Sequence, residues 1–452
     1  MQPLARRPVQ VTRAGRLFLS RQGVSSVILR RTAARALLGV SVALACVLPA
    51  SSQVGGALER EGGAVDSVDA PRPITEEQRR ELERIGTLGY TVGGAPAPRA
   101  RGLKIWEDEA CDGYTVYVSA DYSGAFMADM DGHIVHRWHE RRPEHWTRAW
   151  VYPDGSILGV SAYPARLIKL DSESNVLWEY GTEALRAHHD VVVAPDGRIY
   201  ALMREARVME WLRPVPLLDD QVCILEPDGD SVREVACISI PAAFYDSDYA
   251  NWVASHRFGR FTSDPFHTNS VEVLDGTVPH PAFREGNLLV SVRNMSCLAV
   301  IDPDSSKVVW ANRGRWLRQH EARVTPGGHV MLFDNRTSDG QSRVVEYDVV
   351  DDEIVWEYTE PGFFSRGSGA QQLLPNGNVL ITESGKGRVF EITGDGRVVW
   401  EFLNPRMLAR QGTIVRITRA FRLSRGYFEG EFAEYLEQGG DTRYRRRASS
   451  NR

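Results

Sequence analysis

Cysteine is scarce: the chain has five in 452 residues. That is too few for a disulfide-built scaffold, so a chain of this length must rest on an apolar core. Basic charge is also short. The net charge is −5, and setting aside the eight arginines of residues 1–52, which contain no acid, leaves about −13. This argues against nucleic acid as the main partner. No apolar run is long enough to span a membrane comfortably. The longest, 36–50, suits the core of an export signal. The chain also shows no Ser-His-Asp signature and no glycine-rich loop of the kind that cradles phosphate.

What is present divides the chain into four parts. Residues 1–52 read as a signal peptide or an N-terminal anchor, with scattered arginines, the apolar run and small residues to Gln53. Residues 53–102 read as a linker carrying a short helix, opened by the capping box Thr75-Glu76-Glu77-Gln78 and ending near Arg84. The folded body spans 103–425, and 426–452 reads as a solvated C-terminal tail holding the basic run Arg443–Arg447. The expected location is periplasmic or secreted, with any membrane attachment made through the N-terminal segment. Four cysteines remain beyond Cys46. Cys223 and Cys237 flank the turn Pro227-Asp228-Gly229-Asp230 and are either a cross-hairpin disulfide or buried thiols.

The body repeats. One half-unit is an apolar strand, a Pro-Asx-Gly turn and a second apolar strand, with turns at Pro153-Asp154-Gly155, Pro195-Asp196-Gly197, Pro326-Gly327-Gly328 and Pro375-Asn376-Gly377. The other is an apolar strand, an Asp/Gly turn and a strand ending in tryptophan, at Trp138, Trp178, Trp310, Trp356 and Trp400. Residues 221–240 form a sixth copy without the tryptophan. Two hairpins at a period a little over forty residues describe the blade of a β-propeller. The fold class is therefore all-β: a six-bladed propeller of four-stranded antiparallel blades. The strand near 413–421 is expected to pair beside 113–119 and close the ring. The tryptophans read as packing between blades. Two inserts, 204–218 and 241–265, break the rhythm and suit a lid or a specificity wall.

Histidine marks the inner strands. His320 stands six residues ahead of Pro326, and His189 six ahead of Pro195. His267 opens a third such unit about one place out of step. Asn269 shares the His267 face by strand alternation, and Arg293 ends the next strand. His188 should point away from His189. His136, His139, His145, His256, His280 and His329 lack this registry and read as structural. Three imidazoles, a guanidinium and an amide donate many hydrogen bonds. They suit an anion with several oxygens and the charge that builds on it during transfer, and histidine is also a nucleophile or acid.

The ordered set His188-His189-Asp190, Phe266-His267-Thr268-Asn269-Ser270-Val271, Ser291-Val292-Arg293-Asn294 and Gln319-His320-Glu321 resembles the bacterial arylsulfotransferase family. Pro375-Asn376-Gly377-Asn378 and Arg419-Ala420-Phe421-Arg422 complete the set, and the resemblance covers roughly 103–425. It implies an exported six-bladed propeller. The implied activity passes a sulfuryl group from an aryl sulfate to a phenol through a sulfohistidine, without a nucleotide donor. It further implies that His320 is the nucleophile and that His189, His267, Asn269 and Arg293 stabilise the sulfuryl oxygens. No metal or cofactor is expected, and the partners are a small aryl sulfate donor and a phenolic acceptor. The chain departs from the family in its inserts and in lacking a separate N-terminal β-domain, so oligomeric state stays open. Two other readings remain: a metal enzyme using the three histidines as ligands, and a non-catalytic propeller that binds a ligand or partner.

Overall fold

The structure, a computed structural model, describes residues 75–76, 80, 92–142, 145–162, 165–228, 231–255, 263–335 and 340–441. The expected signal segment lies outside these residues, as does the basic Arg443–Arg447 run. Of the expected helix, Glu76 and Arg80 are described and both are helical.

The architecture is all-β and propeller-like, built from antiparallel sheets of mostly four strands. In chain order the first sheet holds Tyr114–Ser119, Gly124–Ala128 and Ile134–His139, and the second runs from Trp146–Val151 to Val176–Tyr180. The third runs from Arg186–Val193 to Ser231–Ser239, and the fourth from Thr268–Val273 to Lys307–Arg313. The fifth runs from His320–Val324 to Glu353–Tyr358, and the sixth from Ala370–Leu373 to Val398–Leu403. A late strand, Ile417–Leu423, joins the first sheet beside Tyr114–Ser119, as the repeat count predicted. The leading strands touch in sequence: Trp146–Val151 lies against Arg186–Val193, then come Thr268–Val273, His320–Val324, Ala370–Leu373 and Ile417–Leu423, and the last returns to Trp146–Val151.

Sequence and position agree. The second strands Ile157–Ser161, Leu288–Val292, Val330–Asp334 and Val379–Glu383 are buried throughout, because neighbouring sheets cover both faces. Such strands read as continuous apolar runs. The outer strand Val176–Tyr180 buries chiefly Trp178. The outer tryptophans latch one sheet to the next. Trp138 donates its indole N–H to the Gly155 carbonyl at 2.8 Å, and Trp400 donates to Met130 at 3.0 Å. Gly155 adopts φ +80°, and a Cβ there would meet the Phe432 ring at 2.3 Å, so the Pro-Asp-Gly turn needs its glycine.

The structure differs from the sequence reading at four places. The linker is partly folded: Gly93–Pro96 pairs with Thr413–Val415 in a small three-stranded sheet, and Gly102–Trp106 adds a fifth strand to the sixth sheet. The strand expected over 413–421 is therefore two, broken at Arg416. The tail is also folded as far as Asp441. A helix over Gly430–Glu437 buries Phe432 and Leu436, together with the preceding Phe428, in one cluster with Trp138 and Val151. Its apolar positions are too few and its span too short to stand out from sequence. The insert over 204–218 is no free loop, since Ile199–Met209 and Arg213–Asp228 extend as one long hairpin. Residues 241–265 supply two short helices, Ile240–Tyr245 and Ala250–Ser255.

Cys223 and Cys237 stand opposite each other in register and form a disulfide, whereas Cys111 and Cys297 are free thiols. The bridge spans 14 residues of sequence. Closing a loop of that size stabilises by about 3 kcal/mol through the unfolded chain. Replacing both cysteines by alanine should therefore cost about 2–3 kcal/mol, read as a lower urea midpoint. An unchanged midpoint would mean the hairpin is held by its strands alone.

Candidate active site

The site is built where leading strands bend. Five of the six leading strands shift register near their start, including those at Ala187/Val191, Thr268/Ser270 and His320/Arg323. At three of these bends a non-glycine residue takes left-handed backbone: His189 at φ +57°, His267 at +52° and Glu321 at +55°. Such conformations cost roughly 1–3 kcal/mol each and gather at functional sites. They also break strand alternation. His188 was expected to face away from His189, yet their ring centroids are 3.9 Å apart, and His188 lies 5.1 Å from His267. The kink at His189 turns both side chains to one side.

His189 and His267 meet Nε2 to Nε2 at 2.9 Å. The Nδ1–H of His267 is directed at Asp264 Oδ2, 2.5 Å away. That fixes the lone pair of His267 on Nε2, so the shared proton belongs to His189. Burial pushes the His189 and His267 pKa values down; for His267, Asp264 works against that fall. Asp264 itself is held down at about 2: burial opposes its charge, but His267 and Arg204 outweigh it. Arg204 also bonds His188.

His320 is held differently. Its Nδ1 lies 2.5 Å from Asn335 Oδ1 and 3.1 Å from the Arg318 carbonyl. The Asn335 amide nitrogen donates to the carbonyls of Ser365 and Ser368 at 2.8 and 2.9 Å, which fixes its oxygen toward the imidazole. Two acceptors on Nδ1 place the proton there and leave the lone pair on Nε2. That Nε2 is buried and has no hydrogen-bond partner among the described residues. Burial first, then the positive charge of Arg293, takes the His320 pKa down to about 3. Its imidazole is neutral at any ordinary pH. Removing the acceptor should loosen this tautomer. Asn335→Ala is expected to populate the other tautomer, read from the nitrogen-15 shifts of the His320 ring. Unchanged shifts would show that the Arg318 carbonyl alone suffices.

The five residues chosen from sequence thus gather. Arg293 lowers the pKa of His189, His267 and His320 alike. Asn269 donates to the Gln319 carbonyl at 2.8 Å, against the backbone that carries His320. Asp264 and Asn335 were missed. Asp264 sits in an insert, three residues before His267. Asn335 follows the strand paired with His320–Val324, a proximity only the register reveals. Both inserts reach the cluster, Arg204 of the first bonding His188 and Asp264 of the second bonding His267, and they touch each other where Leu218 N–H donates to Ser263 O and where the Trp211 and Tyr245 rings lie 4.6 Å apart.

The family model described as arylsulfotransferase (ASST) matches residues 165–405, more than half of the chain. The chain belongs to the arylsulfotransferase family. All five site residues fall within that match, and membership supports sulfotransferase activity for the chain in general terms. No curated protein sequence matches the chain. Among solved structures it is similar to a Bacteroides caccae protein of unknown function, at 13% identity and TM-score 0.47, covering 69% of this chain and 98% of that one. It is also similar to a streptogramin B lyase, at 13% identity and TM-score 0.41 over 70% of this chain and 87% of the lyase. A third is the β-propeller domain of Cps50 (Swd1) from Myceliophteria thermophila, at 11% identity and TM-score 0.41 over 70% and 90%.

A three-ligand cluster also forms, but from His188, His189 and His267 rather than the expected set with His320. The Arg204 guanidinium already occupies His188, and the 2.9 Å bond between His189 and His267 takes up their facing nitrogens. Neither arrangement suits a cation.

Proposed function

We propose that this arylsulfotransferase is an exported, six-bladed closed propeller that moves a sulfuryl group from an aryl sulfate ester to a phenol, with no nucleotide donor, through a sulfohistidine on His320. The observation that carries the reading is the His320 tautomer, with Nδ1–H held by Asn335 and a neutral, buried Nε2 that has no partner among the described residues. A buried acceptor without a partner costs about 1–3 kcal/mol, a cost that makes sense for an attacking atom. The cyclic contacts of the leading strands support ring closure. The basic leader and the Cys223–Cys237 bridge support export.

In this mechanism the Nε2 lone pair attacks sulfur, the N–S bond forms and the S–O bond to the aryl group breaks. Arg293, Asn269 and the flanking imidazoles meet the charge on the sulfuryl oxygens. His189 and His267 share one proton, and Asp264 stabilises the cation that forms if His267 gains another. The aryl group leaves as its phenoxide; the pair, neutral at rest, takes the proton of the accepting phenol, whose oxygen attacks sulfur and frees Nε2, and then returns that proton to solvent. The test is incubation with 4-nitrophenyl sulfate alone, alkaline quench and peptide mass spectrometry. One added sulfuryl group on the His320 peptide is expected. Turnover that a chelator silences, with no adduct, would instead favour a metal at His188, His189 and His267.

The pH profile gives a second test. A histidine at the ordinary pKa of about 6.5 would be about 97% protonated at pH 5 and some thirtyfold less reactive. His320, with its pKa near 3, stays neutral over that range. Adduct formation from 4-nitrophenyl sulfate should change less than about threefold between pH 7.5 and 5, measured by quenched flow. A tenfold fall centred near 6.5 would contradict the buried, neutral nucleophile.

A further inference from the structure

A cavity of about 320 Å³ lies away from the imidazoles, at the other end of the leading strands. It reaches Thr325, which follows strand His320–Val324. Five residues of strand separate Thr325 from His320, or roughly 16 Å. Its walls include Trp150, Phe421, Leu423 and Tyr427, and its polar side includes Arg323 and Arg419. The volume is at the small end of ligand sites, enough for a body of one or two rings.

The charge behind this wall is unbalanced. Arg148, Arg323 and Arg419 share two carboxylates, Asp190 and Glu321. The carboxylates are sealed, with side chains 0% and 2% exposed, whereas Arg323 and Arg419 are 19% and 16% exposed. The cavity therefore meets guanidinium, not carboxylate. Arg419 makes one ion pair among the described residues, with Glu321 at 2.7 Å. Burial, then repulsion from Arg148, drives its pKa down to about 9, so it keeps its positive charge at neutral pH. Glu272 beyond Arg323 is pushed up to about 7 by burial, so it supplies no full third negative charge.

We propose that this cavity binds a small amphiphilic monoanion. A flat aromatic body packs against Trp150, Phe421 and Tyr427, and a carboxylate or sulfonate head rests on Arg323 and Arg419. The site is separate from the sulfuryl-transfer chemistry and stands or falls without it.

Calorimetric titration of the full chain tests this, using 2-naphthoate, 2-naphthalenesulfonate and neutral 2-naphthamide. Both anions should bind at one site that persists in His320→Asn, while the amide binds at least about tenfold more weakly. Leu423→Trp, which fills the cavity from its rim, should abolish that site, with folding checked by circular dichroism. Arg419→Gln should weaken it about tenfold and decides the matter if the tryptophan variant does not fold. Absence of anion binding, equal binding of the amide, or binding lost in His320→Asn but kept in Leu423→Trp would each overturn the proposal.

Discussion

His320→Asn should yield no sulfo-enzyme from donor alone, with the rate of adduct formation falling on the order of 10⁴-fold or more, as when a covalent nucleophile is removed. Asparagine can occupy much of the space but offers no basic lone pair. Arg293→Ala provides the contrast. A donor to developing charge is worth about 10²–10³ in rate, so this variant should form the adduct slowly yet to completion. The two variants separate bond formation from charge stabilisation in one measurement, the time course of the modified His320 peptide. An adduct that persists in His320→Asn, mapped to the peptide of His189 or His267, would move the nucleophile elsewhere.

The largest stability effect is expected at Arg148. Its guanidinium lies 2.6 Å from Asp190 and 2.5 Å from Glu321, with all three side chains almost sealed from water. Burial by itself would raise the Asp190 pKa, but Arg148 and Arg323 overcome it and hold the carboxyl well below the usual range. Arg148→Met leaves two carboxylates to Arg323 and Arg419. Breaking a buried pair in this way costs about 3–5 kcal/mol, read by urea unfolding at pH 7. The pH dependence has a definite sign. A depressed carboxylate stabilises the fold above its unfolded pKa, near 3.9, and loses that contribution as pH falls through the folded value. The gap between wild type and variant should therefore be full at pH 7 and shrink below about pH 4. A loss under 1 kcal/mol at pH 7 would show that the remaining arginines rebalance the network.

Much of the fold was legible because its units repeat. Pro-Asp-Gly at 153–155 and tryptophan at 138 mark a turn and an outer strand, and the structure joins these two places by a hydrogen bond. The catalytic candidates were legible for the same reason, since His189 and His320 hold the same distance from their turn prolines. What did not repeat was hidden. Asp264 belongs to an insert, and Asn335 depends on which strand pairs with which. The charge network is spread over 148, 190, 321, 323 and 419, on four leading strands, so no local window contains it. The position of His188 was misread because alternation assumes a regular strand, and φ +57° at His189 breaks that assumption. The helix at Gly430–Glu437 was read as tail because its worth lies in Phe432 and Leu436 meeting a distant tryptophan.

The strand Ile417–Leu423 has a consequence for how the molecule is made. It lies beside Tyr114–Ser119, and Thr418 donates its hydroxyl to Val118 O across 300 residues of sequence. The first sheet therefore cannot be finished until almost the whole chain has left the ribosome. Contacts so distant in sequence form slowly, since the loop entropy is lost before they reward it. A chain that completes its first sheet last leaves the edge of Tyr114–Ser119 without its neighbour through most of synthesis, an open strand edge that other chains could pair with until Ile417–Leu423 arrives.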